Sequence, residues 1–215
     1  MAETLIIKEL EKSFGDKKIL NKISLICEAG KVYGIVGYNG SGKTVLFKCI
    51  CGFMIAEKGE ILIKGISSTK RKDQMNDIGV IIEEPAFIKG KSGYQNLEYL
   101  FLVNHRKNNK LLYETMEKVG LNPKEKKPVG KYSMGMKQRL AIAQAIMEDP
   151  DILILDEPMN GLDKLGVKEI RELLLQLRDE GKTILLASHN KEDIEILCDS
   201  VYEIDNGILI QVEVK

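Results

Sequence analysis

The sequence lacks net charge, since its 32 basic residues are matched by 32 acidic ones. A global field drawing the chain to nucleic acid or to anionic lipid is thereby excluded, so membrane contact is expected only through a partner. Long apolar runs are also missing. Residues 80–82 and 152–155 fall far short of the ~18 apolar residues that a membrane-spanning helix needs. The first eleven residues mix apolar side chains with Glu3, Lys8 and Glu9, which is neither a secretory leader nor a transit peptide, and a cytoplasmic chain is expected. Histidine is scarce, at His105 and His189, and Cys27, Cys49, Cys51 and Cys198 form no C-x-x-C pair. No structural metal is expected, and the cysteines read as small buried apolar residues in a reducing compartment.

What is present in the 215 residues reads as one α/β domain with an insertion. Leu5 and Ile7, then Ile23 and Leu25, alternate with polar residues and predict antiparallel strands near the N-terminus. Residues 32–36 form a continuous apolar run followed by a glycine loop and a helix from Lys43, the entry to a buried parallel sheet. Further buried strands are predicted at 78–82, 152–155 and 183–187. Between 88 and 130 the strand signal gives way to helices, at 94–104 and 110–119. Ser92 with Gln95 fits a capping box, and Asn122-Pro123 fits a helix start with proline at its first position. Val167, Ile170, Leu174 and Leu177 recur at helical spacing, and short strands near Tyr202 and Ile208 end the pattern.

Gly37-Tyr38-Asn39-Gly40-Ser41-Gly42-Lys43-Thr44 matches the phosphate-loop pattern G-x-x-x-x-G-K-[ST] and sits between a buried strand and a helix, where that chemistry requires it. Glycines allow successive N–H groups to turn inward onto phosphate oxygens, and the helix start adds its positive dipole end. Lys43 is placed to neutralise the β- and γ-phosphates, and the Thr44 hydroxyl to ligate Mg²⁺. Kinases, GTPases and motor ATPases share such a loop, so later residues must discriminate. The run at 152–155 ends in Asp156 and Glu157, two carboxylates at the edge where open α/β sheets bind ligands. Asp156 is a candidate Mg²⁺ holder, and Glu157 a candidate base for the water that attacks the γ-phosphate.

Asp156-Glu157-Pro158 followed by Gly161-Leu162-Asp163, with Ser133-Met134-Gly135-Met136-Lys137-Gln138-Arg139 upstream, resembles the ATP-binding cassette (ABC) family over almost the whole chain. The resemblance implies an ABC ATPase fold, α/β with a P-loop NTPase core around a mostly parallel sheet. To this core are joined an N-terminal antiparallel β subdomain and an inserted helical subdomain, with residues 1–87 and 134–215 as the core and 88–133 as the lobe. It implies ATP sandwiched between two such subunits, in a homodimer or a heterodimer. Ser133 and Gly135 of one would face the γ-phosphate held by the other, and Asp163 would join them at the nucleotide. It further implies that Phe14 stacks on adenine and that His189 helps Glu157 and Lys43 at the reaction centre. The cofactors implied are ATP and Mg²⁺, and the partner is an integral-membrane permease on whose cytoplasmic side the chain sits.

Two departures stand out. Met134 and Met136 replace the first glycine and the glutamine of the usual signature. Glu83 stands where the family usually has a glutamine that senses Mg²⁺, and as a carboxylate it is a competent Mg²⁺ ligand. The 83–87 stretch and the methionine-containing signature look most like the bacitracin and lantibiotic self-protection exporters. The alternatives are a soluble ABC-type ATPase such as an iron–sulfur assembly component, and a P-loop GTPase. For the latter, Asn190-Lys191-Glu192-Asp193 fits a guanine-recognising pattern, but the fitting D-x-x-G sensor lies far downstream.

Overall fold

The computed structural model describes residues 2–67, 77–83 and 86–213. Near the N-terminus, β1 (Glu3–Phe14) and β2 (Lys17–Glu28) form an antiparallel pair, with Ile7 opposite Leu25 and Leu10 opposite Ile23. Their sheet is completed by β4 (Lys58–Ile63) and β5 (Ile66–Ser67) in the order β2-β1-β4-β5. The second sheet contains β3 (Val32–Val36), β6 (Ile78–Ile81), β7 (Ile152–Asp156), β8 (Thr183–Ala187), β9 (Ser200–Asp205) and β10 (Ile208–Val212). Its order is β10-β9-β3-β8-β7-β6, and all its pairings are parallel except that of β10 with β9.

The apolar runs at β3, β7 and β8 are continuous because both faces of these strands are covered. In β7, Ile152 and Ile154 point into one core with α1 (Lys43–Ile50) and the antiparallel sheet. Leu153 and Leu155 point into the other core, with α4 (Met134–Ile146) and α5 (Lys164–Asp179). On α5, the buried residues Ile170, Leu174 and Leu177 lie on one helical stripe, each contributing about 1.5–3 kcal/mol of burial. A short helix, α6 (Lys191–Leu197), follows β8.

Between 88 and 133 lie α2 (Gly93–Asn104) and α3 (Asn109–Lys118), as the helical reading predicts. Ser92 and Gln95 make the expected capping box. Leu97 and Phe101 of α2 and Leu112 and Met116 of α3 bury against Leu140 of α4 in one continuous core with the sheet. The Asn122-Pro123 expectation fails: no helix starts there. Instead the Asn122 side chain accepts from the Lys124 N–H at 2.9 Å and its carbonyl from the Glu125 N–H at 3.1 Å, closing a tight turn. Asparagine competes for nearby backbone donors in turns as readily as at helix starts. Glu84 and Pro85 lie outside the described residues.

Candidate functional site

The strand order decides which residues meet. Because β3, β8 and β7 are neighbours, the loops leaving their C-terminal ends converge, as at the ligand-binding edge of other open parallel sheets. A cleft of about 1350 Å³ opens there, lined among others by Phe14, Asn39, Gly40, Gly42, Lys43, Thr44, Glu83, Asp156, Glu157 and His189. Ten of the residues singled out from the sequence are thus brought together. Gly37, Tyr38 and Ser41 belong to the same loop without lining the cleft. Ser133, Gly135 and Asp163 do not line this cleft.

The phosphate loop owes its path to glycines in left-handed conformations, Gly37 at φ +148° and Gly42 at +115°. A Cβ on Gly37 would lie 2.6 Å from the Ile204 carbonyl oxygen and 2.7 Å from Ser41 Oγ, so only glycine fits. Every described α-helix but one has a side chain capping its first turn: Ser92, Asn108, Ser133, Asp163 and Asn190. The exception is α1, whose N-cap is Gly42. Its first-turn amides are therefore free of a side-chain acceptor at the mouth of the cleft, where an anion can take that place. Lys43 is 7% exposed, and its Nζ donates to the Gly37 and Tyr38 carbonyls at 2.7 and 3.3 Å. Ser41 Oγ is buried without a hydrogen-bond partner among the described residues.

The Thr44 hydroxyl donates to Asp156 Oδ2 at 2.9 Å. A hydroxyl and a carboxylate side by side at the phosphate loop are hard oxygen donors, a set that fits Mg²⁺. Glu83 lines the cleft, but its carboxylate is ion-paired with Lys48 of α1 at 2.6 Å.

Glu157 follows β7 in a left-handed conformation, φ +52°, a geometry that costs a non-glycine residue about 1–3 kcal/mol and clusters at functional sites. Its N–H donates to the Ala187 carbonyl at 2.9 Å, extending the β7–β8 ladder by one bond. Its Oε1 is buried with no hydrogen-bond partner of its own among the described residues, 3.4 Å from His189 Nε2, while the His189 backbone supports the carboxyl. Burial pushes the Glu157 carboxyl above the ordinary carboxylate range, with His189 and Lys43 pulling in the opposite sense. A carboxylate so poised is a better base than an exposed one.

The remaining candidates lie at the rim of the cleft or beside it. Phe14 ends β1 at the rim of the cleft, 51% exposed, with Lys12 Nζ 5.6 Å from its ring centroid. Ser133 caps α4 by accepting from Met136 N–H at 3.2 Å, on the exposed surface. Asp163 caps α5, accepting from Gly166 N–H at 2.8 Å. Met134 lies across Gly161, where a Cβ would meet its side chain at 2.5 Å. Sequence reasoning assigned no role to Gln138, whose Nε2 donates to the Pro158 carbonyl at 2.9 Å and ties α4 to the turn after Glu157. Its place beside Arg139 in the signature segment was the available signal.

A second, smaller groove of about 290 Å³ opens beside β6, lined by Phe53, Ile81, Leu100, Ala145, Met147, Glu148 and neighbouring residues. No described helix is long and apolar enough to cross a membrane.

The family model described as ABC transporter matches residues 20–160 of this chain. The chain is 38% identical to the lantibiotic transport ATP-binding protein SrtF of Streptococcus pyogenes over 206 residues, covering 96% of this chain and 89% of that protein. It is 37% identical to the bacitracin transport ATP-binding protein BcrA of Enterococcus faecalis, covering 95% of this chain and 67% of the relative. Among solved structures, cbiO1 from Clostridium perfringens, described as part of the ABC transporter complex cbiONQ, is similar with a TM-score of 0.85 and 30% identity. That match covers 100% of this chain and 90% of the other. A dimeric cassette, MJ0796, bound to ADP and Pi shares the fold with a TM-score of 0.88 at 22% identity, covering 98% of this chain and 99% of that one.

Proposed function

Given that the chain belongs to the ABC transporter family, as an ATP-binding and ATP-hydrolysing subunit, we propose that two copies close around two ATP molecules and drive transport through a separate membrane permease. One observation carries this reading: the uncapped start of α1, Lys43, the Thr44–Asp156 pair and the Glu157–His189 pair all face one cleft. Because one chain holds both a phosphate loop and a Ser133 helix start, a twofold pair of identical chains completes both sites at once.

In this mechanism the amides of the phosphate loop hold the ATP phosphates, and Lys43 moves from its main-chain acceptors onto the β- and γ-oxygens. Thr44 and Asp156 would hold Mg²⁺, which supplies neutralisation of the phosphate charge. Glu157 accepts a proton from the attacking water as its oxygen bonds to the γ-phosphorus. The bond to the bridging oxygen breaks, and ADP leaves with the electron pair. His189 orients the water and Glu157. Ser133 and Gly135 of the second copy contact the γ-phosphate, Asp163 lies at the same junction, and Phe14 stacks on the adenine.

Closure has a route outward. The Val129 N–H donates to the Lys91 carbonyl at 2.8 Å and the Gly130 N–H to the Lys89 carbonyl at 2.9 Å, so the segment after Glu83 is laced to the lead-in of α4. The groove beside β6, flanked by the exposed Phe53 and Leu100, is the surface we assign to the permease on the cytoplasmic face of the membrane. The likeness to SrtF and BcrA supports an antimicrobial peptide as cargo.

Affinity purification of the chain from membranes tests the assembly. The expected result is a helical permease without its own phosphate loop, lost on Leu100→Glu; recovery of the chain free of any membrane protein contradicts it. Deleting the gene is expected to sensitise the host to a lantibiotic or to bacitracin. Unchanged sensitivity to both would overturn the cargo assignment.

A further inference from the structure

Beyond the cleft, the loop that carries His189 is fixed by a buried polar cluster that the hydrolysis mechanism does not use. Asp193, in the first turn of α6, is 1% exposed. Its Oδ2 accepts from Ser188 Oγ at 2.9 Å. Its Oδ1 accepts from Arg171 Nε at 2.9 Å and from Nη2 at 2.6 Å. Ser188 Oγ in turn accepts from the Asn190 N–H at 3.1 Å. The residues on either side of His189 are therefore both tied to a single hydroxyl, one through its side chain and the other through its amide.

Arg171 reaches this cluster from α5, and its side chain is only 11% exposed. Its outer edge meets Glu192 Oε2 at 2.9 Å. A guanidinium fork on a buried carboxylate fixes direction as well as distance, because its planar donors match the acceptor in few orientations. Burying such a pair gives little net stability against an apolar replacement of the same shape, so stability alone is a poor account of why it sits beside His189. The helix that supplies Arg171 is capped by Asp163, a few residues after Glu157. One clamp therefore ties the helix leading from the catalytic carboxylate to the loop bearing the histidine.

We propose that Arg171 and Asp193 are positioning residues for ATP hydrolysis: they hold the Ser188–Asn190 turn so that His189 Nε2 stays within reach of Glu157. The inference rests on the reading of His189 as a participant in hydrolysis. Neither Arg171 nor Asp193 touches the nucleotide cleft, so their effect must pass through His189.

A double-mutant cycle on the full chain tests it, with ATPase kinetics and ATP affinity measured for Arg171→Ala, His189→Ala and the double variant. Arg171→Ala is expected to lower kcat about tenfold while KM stays within about twofold, and Arg171→Lys to recover part of the loss. In the His189→Ala background the same substitution should cost less than about twofold, because the group it positions is gone. A loss that multiplies in that background, or no loss at all from Arg171→Ala, overturns the proposal while leaving the role of His189 intact. Full turnover by His189→Ala overturns both together, and so separates failure of the underlying reading from failure of the clamp. Should Arg171→Ala fail to fold, Asp193→Asn, which keeps the shape of the side chain, reads the same cycle.

Discussion

The starts of α1 and α4 offer the same physics to a phosphate, a helix N-terminus with glycine at hand, yet they are finished differently. At α1 the cap is Gly42 and no side chain competes for the amides, which face the cleft of their own chain. At α4 the cap is Ser133, its oxygen engaged by Met136 N–H on the exposed surface; Met134, Lys137 and Gln138 of that helix start edge the same cleft, whereas Ser133 and Gly135 do not line it. The first arrangement is complete enough to bind an anion alone; the second presents a capped dipole end outward. The contrast is what the proposed split site requires: a cleft that holds the phosphates and an α4 start left for a neighbouring copy.

The comparison can be broken most strongly at α1. Lys43→Ala is expected to weaken ATP binding by about 100-fold or more in calorimetry, and unchanged affinity would remove the phosphate loop from the site. Next in size, Glu157→Gln should cut turnover by about 10²–10³ while ATP affinity stays within a few-fold, because the side chain keeps its shape and loses its basicity. Stable ATP-bound dimers of that variant should appear in size-exclusion chromatography. Ser133→Ala is the corresponding test at α4. Single-chain ATP affinity should not change, while turnover falls about tenfold. A loss of single-chain affinity would mean that α4 serves its own cleft.

The smallest effect concerns pH. Burial raises the Glu157 carboxyl, and a base must be deprotonated to act, so kcat should fall on acidification at a pH above the ordinary carboxylate value of ~4.3. A limb at or below that value would contradict the burial. The stability linkage has the matching sign: a carboxyl whose folded pKa is raised disfavours the fold once ionised. Glu157→Gln should therefore raise Tm by about 1–3 °C at neutral pH, and the gain should vanish on acidification below the unfolded-state pKa.

Much of this was legible from local pattern. β3, β7 and β8 announce themselves because both faces are buried, and the loop residues at their ends follow in register. The strand β4 gives little sign of itself in the sequence, although Ile61 and Ile63 are buried on either side of Leu62, because Lys58, Gly59 and Glu60 open it without an apolar signal. Asn190 fits a nucleotide-recognition pattern in the sequence, whereas in the fold it caps the seven-residue α6 by accepting from Glu192 N–H at 3.0 Å. The pairs Arg171–Asp193 and Lys48–Glu83 depend on strand order, which brings together residues 22 and 35 positions apart. No periodicity within a single element encodes such a meeting.

The split-site account is tested most directly by mixing two inactive variants, Lys43→Ala and Ser133→Arg. Mixed dimers pair the intact phosphate loop of one copy with the intact α4 start of the other, restoring one site in two. ATPase activity should return to about a quarter of wild type on equimolar mixing, since half of randomly formed dimers are mixed. No recovery, with the two chains shown to associate, would contradict the account.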